Sequence, residues 1–126
     1  MNQYPGGVWP VMLTPFAADG AIDEAGLRAL VDWYIESGVD GLFSSCQSSE
    51  IFNMDFEERM RIARITVEQS AGRVPVVAGV NAGATRDVIA FARQAEQLGC
   101  AGVMLAAPYY SLPTPDELFQ HIRAVN

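Results

Sequence analysis

Between Ser44 and Glu50 the chain reads SSCQSSE, which sets four hydroxyls, a thiol, an amide and a carboxylate directly behind the apolar run Gly41-Leu42-Phe43. Hydroxyls and free backbone N–H groups at the point where a buried strand hands over to a helix can hold a small anion. Nothing else satisfies those donors, and a helix N-terminus adds partial positive charge. A carboxylate would fit Ser48 and its neighbours. The plainer reading is that Ser48 and Ser49 are turn and cap hydroxyls. Cys46 as a nucleophile would need a base close by, and the only histidine, His121, falls near the end of the chain, so a packed thiol is expected. Glu50 reads as a structural acceptor for loop N–H groups rather than a general base.

Short apolar runs alternate with longer segments of helical period, the pattern of parallel βαβ units. The first strand spans Val8 to Leu13 and ends at Thr14-Pro15-Phe16. A helix capped by Asp23 follows, with Leu27, Leu30, Val31, Tyr34 and Ile35 on one face. The second strand, Gly41 to Ser45, leads through SSCQSSE to a helix that opens with the capping-box pair Asp55 and Glu58. Phe56, Met60, Ala63 and Val67 form its inner face, Phe52 and Met54 pack around its start, and Arg59, Arg61 and Arg64 read as a solvated face. Val74 to Val80 has the near-continuous apolar character of a strand buried on both faces. Thr85 is placed to cap the third helix, and the strand Gly102 to Ala106 follows. A fourth helix opens at Thr114-Pro115-Asp116-Glu117 and carries His121 as a solvated residue.

The polar clusters Thr14-Pro15, SSCQSSE, Asn81-Ala82-Gly83 and Pro108-Tyr109-Tyr110 all follow strands, so they share the edge where α/β folds bind ligands. Four parallel strands, each followed by a helix, fit a small doubly wound domain or half of an eight-unit barrel, and periodicity suits both. No Gly-rich nucleotide fingerprint follows the first strand.

At 126 residues, half of them apolar, the chain is sized for a single globular unit. Fifteen acids against eight bases give a net charge of -7, which argues against nucleic acid or an anionic membrane as partner. The start MNQYPGGVWPVMLTPF has no basic leader, and no apolar run is long enough to cross a bilayer, so a cytoplasmic protein is expected. Cys46 and Cys100 suggest neither a disulfide framework nor a zinc site. All eight basic residues are arginines, and the chain contains no lysine.

TPF near the start, a polar motif ending in Glu50, the helix residues Glu57-Glu58-Arg59, AGRVPVVAGV and PYYSLPTPDELFQH occur in one order along the whole chain. Together they resemble the dihydrodipicolinate synthase and N-acetylneuraminate lyase family. The resemblance implies an α/β fold, the (β/α)8 TIM barrel, of which residues 1–126 would be the N-terminal half with about the first four βα units. It also implies a class I lyase or aldolase that binds a pyruvate-like 2-keto acid as a lysine Schiff base, without a cofactor or metal. The family motif after the second strand is usually Gly-Thr-Thr-Gly-Glu or Gly-Ser-Thr-Gly-Glu; here it is Cys46-Gln47-Ser48-Ser49-Glu50. By that match Ser48 and Ser49 hold the keto-acid carboxylate, Thr14 supports their loop, and Gln47 replaces the hydroxyl that relays a proton in the synthase. Tyr110 would correspond to the family's tyrosine that reaches into a neighbouring subunit's active site and takes a catalytic part there, while the family's principal catalytic tyrosine would lie on a later strand, so a homo-oligomer, a dimer or tetramer, is expected. The Schiff-base lysine would lie on a later strand, outside these residues. The alternative reading is a stand-alone four-unit sheet that binds a small anion without turnover.

Overall fold

The computed structural model describes residues 6–108 and 111–125. Behind an extended segment at 8–13, helices and strands alternate: α1 (Glu24–Glu36), β1 (Leu42–Ser44), α2 (Phe56–Ser70), β2 (Val76–Gly79), α3 (Thr85–Gln97), β3 (Gly102–Met104) and α4 (Pro115–Val125). The strands form one parallel sheet in the order β1-β2-β3, with Leu42 beside Val76 and Ala78 beside Val103. The segment at 8–13 joins the outer side of β1. There Val11 bridges Phe43, whose N–H donates to the Pro10 carbonyl at 3.1 Å and whose carbonyl accepts from Met12 N–H at 2.9 Å. The expected strand from Val8 to Leu13 is thereby reduced to one bridge. Pro10 turns its carbonyl toward β1 but has no N–H to add to that ladder.

Caps set the helix starts. The Asp23 carboxylate accepts from Gly26 N–H at 2.9 Å, and Leu27 and Val31 are buried as their spacing requires. Asp55 and Glu58 exchange hydrogen bonds at 2.8 and 3.0 Å, the reciprocal arrangement their spacing predicts. Thr114 and Glu117 do the same at the start of α4. The third helix differs from expectation. It is capped by Ala84 without a side-chain bond, and the Thr85 hydroxyl is instead hydrogen-bonded to His121 Nδ1 at 2.8 Å, which ties α3 to α4 and leaves His121 only half-exposed.

Helix α2 buries a wider arc than a simple stripe, because it lies against α1 and α3 as well as the sheet. Its buried residues are Arg59, Met60, Ile62, Ala63, Ile65, Thr66 and Ser70. Phe56 and Val67 from the expected inner face are only partly covered. Arg61 and Arg64 are exposed as expected, but Arg59 is 6% exposed and does not belong to a solvated face. Met54 packs in the core, whereas Phe52 is 65% exposed.

All the helices cover one face of the sheet. Met12, Leu42 and Val76 pack with Leu27, Val31, Ile62 and Ile65, while Ala78 packs with Ala63 and Ala95, and Val80 with Met60, Val88 and Phe91. Side chains alternate across a strand, so Val11, Leu13, Phe43, Val77 and Met104 stand on the opposite face. None of these belongs to the core clusters among the described residues. The strand at 76–79, expected to be buried on both sides, is therefore buried on one. Helices on a single face rule out a doubly wound sheet, which carries them on both.

Candidate active site

The loop after β1 is held by buried serines. Ser45 takes a left-handed backbone conformation at φ 55° that turns the chain off the strand, and its hydroxyl donates to the Arg59 carbonyl at 3.3 Å. This turn lays the Ser45 carbonyl against Gly79, where a Cβ atom would come within 2.1 Å of the oxygen, so only glycine fits there. Ser49 is 1% exposed; its hydroxyl donates to the Met12 carbonyl at 2.6 Å and accepts from Cys46 N–H at 3.2 Å. The Thr14 hydroxyl returns the link, donating to the Ser49 carbonyl at 2.8 Å. Two bonds thus stitch the end of the 8–13 segment to the loop.

Between these anchors, Gln47–Ser49 form a short 3-10 turn in which Gln47 and Ser48 are exposed. The Ser48 hydroxyl makes no hydrogen bond to the described residues. The N–H groups of Gln47 and Ser48 open the turn and have no acceptor within it. Glu50 follows at φ 65° and accepts from Asn53 Nδ2 at 3.1 Å, a structural contact outside the turn. The four residues expected to gather here, Thr14, Gln47, Ser48 and Ser49, do so, but only Gln47 and Ser48 face outward. Tyr109 and Tyr110 lie outside the described residues.

The loops after β1, β2 and β3 enclose a cavity of about 400 Å³ lined by Ile51, Phe52, Arg59, Asn81, Gly83 and Pro108, among others. Asn81 extends the sheet here, its Oδ1 accepting from Ala106 N–H at 2.7 Å. The Arg59 guanidinium donates to the Gly79 carbonyl at 3.2 Å and lies 3.8 Å from the Phe91 ring centre, a cation–π contact inside the fold. Sequence reasoning missed Arg59. The signal was its position four residues after Asp55, on the stripe with Met60 and Ala63. Cys46 is buried with its sulfur 3.9 Å from Ser49 Oγ, a packed thiol. Burial pushes the Cys100 thiol up to about 11, far from reactive thiolate character.

A parallel sheet with all its helices on one side and its polar loops at the strands' carboxyl ends is a section of a (β/α)8 barrel wall, and that rim is where such barrels bind and react. The chain belongs to the dihydrodipicolinate synthetase family, which it matches over residues 4–126. A 4-hydroxy-tetrahydrodipicolinate synthase of Acidobacterium capsulatum is 46% identical over 120 residues, covering 94% of this chain and 40% of that relative. A dihydrodipicolinate synthase of Bacillus anthracis superposes with a TM-score of 0.94 at 32% identity, over 99% of this chain and 42% of that one. A prophage protein of the same family from Escherichia coli K12, solved in complex with pyruvate, is 35% identical with a TM-score of 0.91, over 94% of this chain and 40% of its own. The chain thus spans about two fifths of the length of its relatives, some four βα units of the barrel. Among the described residues, no helix is long and apolar enough to cross a membrane.

Proposed function

We infer that residues 1–126 form the N-terminal half-barrel domain of a pyruvate-type class I lyase or aldolase, and that its rim holds the carboxylate of a 2-keto acid. The observation that carries this reading is the exposed Ser48 hydroxyl, beside the N–H groups of Gln47 and Ser48, on a loop pinned from beneath by Ser49 and Thr14. A carboxylate offers only acceptors, and these groups are donors; bonds of this kind to a charged acceptor are stronger than neutral ones. Ser49 acts as a positioning residue, since its hydroxyl already serves Met12 and Cys46. Gln47 presents an amide, which donates and accepts but does not pass a proton as a hydroxyl does. That favours a family aldolase or lyase reaction over the synthase reaction itself.

In such chemistry an amine condenses with the ketone and expels water, and the resulting iminium withdraws electrons from the neighbouring carbon without a cofactor or metal. The chain has no lysine, so the amine comes from barrel residues beyond these 126. Tyr110 completes the site of a neighbouring subunit in a homo-oligomer, and the enzyme works in the cytoplasm. The pyruvate complex of the Escherichia coli relative supports the substrate class.

The test is a pyruvate titration of this chain followed by NMR, beside Ser48→Ala. The variant should bind about tenfold more weakly, the worth of one charge-assisted hydrogen bond, with an unchanged thermal melt. Equal affinities, or no binding by either chain, would overturn the assignment.

A further inference from the structure

We draw no further inference here: the strongest candidate, the cavity of about 400 Å³ between the loops after β1, β2 and β3 with Arg59 in its wall, belongs to the site already described.

Discussion

Ser48 and Ser49 are neighbours of the same type with opposite fates. Ser48 stands in solvent, so its removal should leave stability within about 0.5 kcal/mol while loosening keto-acid binding. Ser49 is buried between Met12 and Cys46, and Ser49→Ala strands a carbonyl and an N–H. We expect a loss of about 1–3 kcal/mol in urea unfolding, followed by weaker pyruvate binding as the loop loosens. Gly79→Ala should be as damaging. Its methyl would meet the rigid Ser45 carbonyl, so overpacking costs about 1–3 kcal/mol and displaces the turn that leads into Ser48. Arg59 joins the same group of supports, bonded at Gly79 and receiving Ser45 on its carbonyl. Three residues distant in sequence thus shape the loop that carries Ser48, and none of them belongs to that exposed turn's outward donors.

The helices hold this arrangement from behind, and the caps of α1, α2 and α4 were readable from spacing alone, whereas that of α3 was not. Asp55→Ala should lower stability by about 1 kcal/mol, measured by denaturant titration, because the box with Glu58 is lost at the head of α2. Between α1 and α2 a clasp of charges closes the outer layer: Arg28 bonds Glu24 and Glu68, Arg61 bonds Glu24, and Arg73 bonds Asp32. Arg28, then Arg61, hold the Glu24 carboxyl below its ordinary 4.5, and Arg73 with Gln69 hold Asp32 below its ordinary 3.8. A depressed folded value means that the clasp contributes above the unfolded values and fades as pH falls through the lower folded ones. The melting temperature should therefore decline below about pH 4.5, and added salt should blunt the dependence, since these groups face water. Caps and ion pairs secure the wall; they do not cover its bare side.

That bare side governs how the molecule as a whole behaves. Apolar residues on an open sheet face and on uncharged edges should bind a hydrophobic dye, and the chain alone should give strong fluorescence with anilinonaphthalene sulfonate. The loop that carries Ser48 is already formed in this chain, because its supports Ser49, Thr14 and Gly79 lie within one wall, and under the proposed function the reacting amine is not among these residues. Under the proposed function, binding of a keto acid without turnover is the expected behaviour of this chain.

Local chemistry settled much of this. The order of strands and helices, the caps at Asp23, Asp55 and Thr114, the stripe of Leu27 and Val31, and the gathering of polar loops at one edge follow from periodicity and side-chain type, which act over a few residues. The family resemblance was written in motifs that keep their order. What packing alone decided involves partners far apart along the chain. Arg59 went inside because α2 lies between two helices and a sheet, so more than one stripe is enclosed. Thr85 turned to His121 once α4 lay beside α3, and Ser49 turned inward because Met12 offered its carbonyl from across the fold. Whether Val77 would be buried depended on a second layer that no short window of sequence can report, since burial is a property of everything a residue meets.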